Sequence, residues 1–250
     1  MSGNPTRVPQ GSGDTGRVST PPPLPAEKPS PQDGSGHDHA ARDHALHDDA
    51  LRDEAVPDHA ARDELGDGLV AELKALDEAT YRAVAQTPTP TLDAGLRRLS
   101  RAADKSKLWF ATAAVIALVG GERGRQAALT GVAAIGVTSA AVNIGVKPLA
   151  RRHRPDRSDA EFVARHVRMP QSTSFPSGHS ASAFAFAEAV SSTLPLTGIP
   201  LRLAAAAVAY SRIHTGVHYP GDVLIGSLIG MTSGELVGQV GRVIARRRAR

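Results

Sequence analysis

The sequence of 250 residues contains no cysteine and few aromatic residues, and both absences narrow its possible functions. Without cysteine the chain has no disulfide, no thiolate metal ligand and no cysteine nucleophile. Aromatic residues make up only 4% of the chain, and proteins that bind single-stranded nucleic acid rely on stacking bases against aromatic rings. A nucleic-acid partner is therefore not expected.

Net charge is also low, at +4, but it is unevenly distributed along the chain. Residues 1–66 contain 6 Lys/Arg against 12 Asp/Glu and 9 of the 18 prolines, whereas residues 67–250 contain 23 basic against 13 acidic side chains. Roughly half of the residues in the second part are apolar, so only that part can bury a core. The pattern predicts one domain preceded by a tail.

The tail, residues 1–66, is predicted to be disordered. Residues 1–36 are rich in Pro, Gly, Ser and Thr and have too little apolar surface to offset the entropy of ordering. Residues 38–65 repeat small apolar pairs every five residues, a spacing that matches neither a helix nor a strand. Five of the ten histidines lie among aspartates here, and we interpret the tract as solvated low-complexity sequence rather than a weak divalent-metal site. The N-terminus has no apolar run, so a signal peptide is not expected.

Residues 67–107 are predicted to form two amphipathic helices. Leucines and valines recur at helical spacing among charged residues in 69–86 and again in 91–105, and Pro88 and Pro90 separate the two segments. Such helices either pack on neighbouring protein or lie on a membrane surface. The sequence leaves both possibilities open.

Long apolar runs are scarce, but five shorter ones follow, rich in Ala, Gly, Val, Leu and Ser. The runs are 108–121, 127–146, 180–196, 201–213 and 223–240. Only 127–146 clearly provides the ~20 residues that cross a bilayer. The number of runs, their small residues and the Arg-rich ends favour a membrane bundle over a soluble one. We therefore predict an all-α, multi-pass transmembrane helical bundle over 108–245, located in the plasma membrane.

Three short segments concentrate reactive side chains at the ends of these runs. The first runs from Lys147 to Arg154 and Pro155, the second is Pro176-Ser-Gly-His179, and the third runs from Ser211 to Asp222. If consecutive runs are antiparallel spans, all three segments lie at the same face. One site would then collect Lys147, Arg154, His179, Arg212, His218 and Asp222.

The cations of this set suit a phosphoryl group. Lys147, Arg154 and Arg212 supply fixed positive charge, and guanidinium groups match phosphate oxygens in pairs. Ser177 and Gly178 precede the third run, so their backbone amides can point at an anion near a helix N-terminus. No carboxylate cluster provides a metal cage, so we predict that the cations replace Mg²⁺ and that no metal or other cofactor is needed.

The histidines suit covalent catalysis. One of His179 and His218 would attack phosphorus, and the other would protonate the leaving oxygen. Asp222 lies four residues beyond His218, close enough to hold one ring nitrogen and to leave the other free as a nucleophile.

The three segments resemble the signature of the type 2 phosphatidic acid phosphatase superfamily, which is Lys-x6-Arg-Pro, Pro-Ser-Gly-His and Ser-Arg-x5-His-x3-Asp. Every position is met, and the resemblance covers about residues 92–240. It implies a metal-independent phosphatase with a helical core of the phosphatase/haloperoxidase type. It also implies that His218 forms the phosphohistidine, that Asp222 orients it, and that His179 is the general acid. The usual form has six spans, whereas here an amphipathic pair replaces the first.

The expected substrate is a lipid phosphomonoester or diphosphate, either prenyl-linked or of the phosphatidic acid type. Prenyl-linked substrates rank slightly first because the core is small. Two alternatives are a vanadium-dependent haloperoxidase-like enzyme, which uses a similar anion cage, and a membrane scaffold with an inactive site. His214 is expected to pack or to form a hydrogen bond, and Glu188 and Glu235 are left outside the site.

Overall fold

The chain is described by a computed structural model over residues 59–157 and 165–248. Most of the tail predicted to be disordered, including the His/Asp-rich tract before residue 59, lies outside these residues. Within them the fold is all-α, as predicted, with seven α-helices. These are α1 (His59–Gln86), α2 (Pro90–Ala102), α3 (Lys107–Val119), α4 (Gly121–Ala140), α5 (Gly178–Ser191), α6 (Gly198–His214) and α7 (Pro220–Arg248).

The predicted amphipathic segments form α1 and α2. Helix α1 spans His59–Gln86 and so includes residues 59–66, which the charge pattern assigned to the tail. It ends before the Thr-Pro-Thr-Pro segment, and α2 begins on Pro90, whose fixed φ and missing N–H suit the first helical position.

Each of the five apolar runs coincides with one of the helices α3 to α7. Helices α3 and α4 are joined at Gly121, whose φ of +59° is a left-handed conformation that favours glycine. Helix α4 continues through a wider π-helical turn, Ala141–Val146, and so carries Lys147 to the bundle end.

Helix α5 is the centre of the bundle, packed between α4, α6 and α7. Most of its side chains are buried, and many are alanine or serine, so the neighbouring helices approach closely. The larger core residues surround it, with the rings of Trp109 and Phe186 5.4 Å apart and Val190 and Val208 fully buried. Packing on all sides of α5 fixes the position of its N-terminus.

Glycines on α7 hold it against α5 along a line of direct backbone contact. A Cβ atom on Gly226 would lie 2.5 Å from the carbonyl oxygen of Ser177, and one on Gly234 would lie 2.5 Å from that of Ala185. At the end of this line, the backbone N–H of Ser177 donates to the carbonyl of Asp222 at 2.9 Å. The contact therefore joins the second and third motif segments.

The outer surface of the bundle is apolar. Leucine, isoleucine and valine side chains are exposed on its outer helices, and Leu118 is 84% exposed. Two helices, Gly121–Val146 and Pro220–Arg247, are long and apolar enough to cross a membrane by length and composition. Helices α3, α5 and α6 have 13, 14 and 17 residues, fewer than the ~20 needed for a perpendicular crossing.

Candidate active site

The third motif segment forms the end of α6, a tight turn and the start of α7. The carbonyl of Arg212 accepts from the backbone N–H groups of Val217 and His218, at 3.1 and 3.2 Å, which closes the turn. Gly216 has φ +69° and so provides the left-handed residue that this turn requires. The turn places His218 next to the first residues of α7, where Asp222 lies.

His218 is buried between Asp222 and Arg154. Its side chain is 2% exposed, its Nδ1 atom lies 3.5 Å from Asp222 Oδ2, and its Nε2 atom lies 3.3 Å from Arg154 Nη1. Burial lowers the pKa of His218 to about 4; Asp222 opposes this shift, and the positive charges of Arg154 and Arg212 add to it. The ring is therefore neutral at pH 7, and a proton on Nδ1 facing the carboxylate leaves a lone pair on Nε2.

The carboxylate of Asp222 is fully buried and held from three directions. The Ser174 hydroxyl and the Tyr219 backbone N–H donate to Oδ2, the latter at 2.9 Å, and Arg152 Nη1 donates to Oδ1 at 3.1 Å. Buried carboxylates with several donors stay ionised and keep one orientation. Sequence reasoning assigned no role to Ser174 or Arg152, because neither is a position of the motif.

Lys147 and Arg154 meet at one hydroxyl group. Ser172 Oγ lies 3.3 Å from both Lys147 Nζ and Arg154 Nη2. Arg154 also donates to the carbonyls of Ser172, Thr173 and Val217 at 2.9, 3.2 and 2.7 Å. Burial, and then the charge of Arg154, lowers the pKa of Lys147. Two cations thus converge on one oxygen atom beside His218, although several of the Arg154 donors are already bonded to protein.

Arg212 is 1% exposed and reaches back to α2. Its Nη1 atom donates to Ser100 Oγ at 2.6 Å and lies 3.7 Å from Asp104 Oδ1. Its Nε atom is buried and has no hydrogen-bond partner among the residues that the structure describes. A buried donor without an acceptor costs about 1–3 kcal/mol, so the guanidinium has capacity for a further anion.

His179, in the first turn of α5, contacts a carboxylate that the motifs do not include. Its Nε2 atom lies 3.0 Å from Oδ1 of Asp104, and this hydrogen bond lowers the pKa of Asp104. Asp104 belongs to a single 3₁₀ turn, Asp104–Ser106, in which Lys105 and Ser106 adopt left-handed φ values of 53° and 57°. Strained conformations of this kind are concentrated at functional sites. No sequence signal distinguished Asp104 from the other charges of this segment.

The two histidines lie around one set of cations. Together with burial, the positive charges of Arg212 and Lys147 lower the pKa of His179, and those of Arg154 and Arg212 lower the pKa of His218. The structure thus brings together side chains from all three motif segments, as the antiparallel arrangement of the runs predicts. It adds groups from α2 and from the turn that follows it.

The backbone amides of Ser177 and Gly178, in the second segment, differ in their surroundings. Ser177 caps α5 through its side chain, and its own N–H donates to the Asp222 carbonyl, so this amide is occupied by protein rather than facing a ligand. Gly178 is partly exposed, and a Cβ atom built on it would meet nothing within 4 Å. Open space at a helix N-terminus is where an anion can approach.

Polar residues left outside the site have structural partners. His214 Nε2 lies 2.9 Å from Asp93 Oδ1, a hydrogen bond of the kind expected for it, and Arg202 donates to Glu188 at 2.7 Å. Among the residues 59–157 and 165–248, no group of three His, Asp or Glu side chains could hold a metal ion.

The helical bundle and the three motif segments are accompanied by similarity to known phosphatases. The model of the PAP2 superfamily matches residues 127–242. A decaprenylphosphoryl-5-phosphoribose phosphatase of Mycobacterium tuberculosis is 35% identical over 162 residues, which are 64% of this chain and 86% of that protein. The corresponding phosphatase of Mycolicibacterium smegmatis is 38% identical over 138 residues, 55% of this chain and 72% of that protein.

The fold has a solved counterpart. The crystal structure of a transmembrane PAP2 type phosphatidylglycerolphosphate phosphatase from Bacillus subtilis matches with a TM-score of 0.53 and 21% identity, over 70% of this chain and 87% of that one. The chain belongs to the PAP2 superfamily and is a phosphatase, so the resemblance stated from the three motifs is confirmed.

Proposed function

We propose that this protein is a membrane phosphatase that removes a terminal phosphate from a prenyl-linked lipid, through a phosphohistidine formed on His218. The substrate class is supported by the relatives in two mycobacterial species, which are named as phosphatases of a decaprenyl-linked phosphoribose. The observation that carries the mechanism is the buried, neutral His218, with Asp222 beside one ring nitrogen and Arg154 beside the other.

In the first step, Lys147, Arg154 and Arg212 bind the phosphate oxygens, with the Gly178 amide at the helix N-terminus. Arg154 exchanges part of its contact with Ser172 for a phosphate oxygen. The Nε2 lone pair of His218 attacks phosphorus, and the bond between phosphorus and the lipid-linked oxygen breaks.

Proton transfer accompanies this step. His179 donates a proton to the leaving oxygen, which departs as an alcohol, while Asp222 stabilises the positive charge that develops on the His218 ring. The hydrogen bond to Asp104 fixes the orientation of His179. In the second step a water molecule attacks the phosphohistidine, His179 accepts a proton from it, and inorganic phosphate leaves neutral His218.

A membrane position of the site is supported by the two spanning-length helices. Lys147 follows the end of Gly121–Val146, and Asp222 lies in the first turn of Pro220–Arg247. Both helices thus carry site residues at the same end of the bundle. A phosphorylated head group at the membrane interface can reach these residues while its prenyl chain remains among the lipids.

The test is phosphate release by membranes that contain the full-length protein. The substrates are a polyprenyl phosphate, a polyprenyl-linked sugar phosphate, phosphatidic acid and phosphatidylglycerol phosphate. We expect the fastest release from a prenyl-linked substrate, no turnover with His218→Ala, and normal turnover with His153→Ala, which removes an exposed loop histidine. Release should persist in EDTA, because the fixed cations carry the charge compensation.

Three results would contradict the proposal. Equal activity of His218→Ala and wild type would exclude a phosphohistidine on His218 and favour the scaffold alternative. Inhibition by EDTA that Mg²⁺ reverses would require a metal. Activity that needs vanadate and halide, without phosphate release, would favour the haloperoxidase alternative.

A further inference from the structure

Helix α1 contributes a largely buried carboxylate to the surroundings of the site. Asp77 lies ahead of residues 127–242, which match the family model, and its side chain is only 11% exposed. Asp77 Oδ2 is 2.6 Å from Arg152 Nη2, and Asp77 Oδ1 accepts from the backbone N–H of Gly221 at 2.6 Å. This one carboxylate therefore contacts both the loop before α5 and the first turn of α7.

Arg152 connects Asp77 to Asp222. One nitrogen of its guanidinium group contacts Asp77, and the other lies 3.1 Å from Asp222 Oδ1. The group also stacks over the ring of Tyr219, with its central carbon 4.1 Å from the ring centroid. Because the guanidinium is planar and rigid, fixing one nitrogen fixes the other. The position of Asp77 thereby sets the position of the donor to Asp222.

The same face of α1 holds the turn that carries His218. Tyr81 lies one helical turn after Asp77, and its ring packs edge-on against Tyr219, with centroids 5.5 Å apart. The Tyr81 hydroxyl lies so near Gly216 that a Cβ atom there would be 3.0 Å away. Helix α1 thus contacts the His218 turn near Gly216, at Tyr219 and at Gly221.

We propose that Asp77 is a positioning residue for the phosphatase reaction, acting on His218 through Arg152 and Asp222. The proposal rests on the proposed function, because it requires that Asp222 support His218. Between two carboxylates, the charge of Arg152 is balanced. Without Asp77, Asp222 alone would balance the charge of Arg152. Asp222 would then stabilise less strongly the positive charge that develops on His218 during attack.

The first test is Asp77→Asn in the full-length protein, with Asp67→Asn as the matched control. Both substitutions remove one carboxylate charge from α1, but Asp67 is exposed. We expect kcat for the best substrate of the panel to fall on the order of 10- to 100-fold, because a small displacement of reacting groups has that effect. We expect KM to change by less than about twofold, because the phosphate-binding cations are untouched. Asp67→Asn should match wild type in both.

The second test is a double-mutant cycle with Asp222→Asn. If Asp77 acts through Asp222, Asp77→Asn will have little further effect in the Asp222→Asn background. A structural contribution would lower the amount of folded protein and give independent, multiplicative losses in kcat. Arg152→Lys keeps the charge but cannot bridge two carboxylates, so it should reproduce the loss in kcat even if Asp77→Asn fails to fold.

The outcomes separate this proposal from the one on which it rests. Wild-type kcat in Asp77→Asn, multiplicative losses in the cycle, or wild-type kcat in Arg152→Lys would each overturn the role of Asp77. If Asp222→Asn alone keeps wild-type activity, the proposed mechanism fails instead. A loss in Asp222→Asn together with an unchanged Asp77→Asn would leave the mechanism standing and reject only Asp77.

Discussion

The contact between α5 and α7 provides a test of how backbone packing positions the site. In Gly226→Ala the new Cβ atom would lie 2.5 Å from the carbonyl oxygen of Ser177, whereas ordinary contact begins at 3.4 Å. The helices must therefore separate by about 0.9 Å at this point. The opposing atom is backbone, so no side-chain rotation can relieve the overlap.

Two free-energy terms oppose each other in this variant. Overpacking typically costs about 1–3 kcal/mol, and replacing a helical glycine by alanine returns up to about 1 kcal/mol. We expect a net loss of stability of about 1–2 kcal/mol. The separation also moves Ser177 and His179 away from the Asp222 end of α7, so kcat should fall on the order of 100-fold, the usual effect of a 1 Å misplacement.

The assays are thermal unfolding in detergent and phosphate release. Gly234→Ala brings its Cβ atom to the same 2.5 Å from the carbonyl oxygen of Ala185, further along α7 from the site, and should lose at least as much stability but less activity. Gly136→Ala is the control without overlap, because nothing lies within 4 Å of its Cβ position. If Gly226→Ala were as stable and as active as Gly136→Ala, the inferred backbone contact would be refuted.

Two further predictions concern the histidines. The proposed mechanism uses His218 in its neutral form, and burial lowers the pKa of His218 to about 4. Once protonation of the substrate phosphate at about pH 6 is allowed for, we expect kcat/KM to stay high below pH 6 and to fall only as the pH drops through about 4. Arg154→Gln, which removes a neighbouring positive charge, should move this limb to higher pH. An acid limb near pH 6.5 that no variant moves would contradict the burial of His218. His179→Ala should lower kcat strongly for an alkyl leaving group and much less for p-nitrophenyl phosphate, whose leaving group needs no proton; equal losses on both substrates would exclude His179 as the general acid.

Much of the architecture was predictable because it depends on local pattern. The five apolar runs predicted helices, and each coincides with one of α3 to α7. The motif segments fall at helix ends, so the antiparallel order of the runs placed them at one face. Residues 59–66, which the charge pattern placed in the tail, belong to α1.

The contacts of the site were less predictable, because they join residues far apart in the chain. Ser100 approaches Arg212 because α2 packs against α6, and Asp104 approaches His179 because the turn after α2 packs against α5. The Ser177 amide was expected to face phosphate. Because α5 and α7 approach closely, it donates to the Asp222 carbonyl instead. Neither contact has a signature in spacing or composition.

The sequence by itself determined the helical class, the family and the residue types that can bind and transfer a phosphoryl group, since these depend on periodicity and on short motifs. Only the tertiary structure decided how His218 is buried and which groups support Asp222. Burial and hydrogen bonding arise from elements that pack together in space, as Asp77 of α1 does against Arg152 and Gly221. A pattern read along the chain contains no information about that packing.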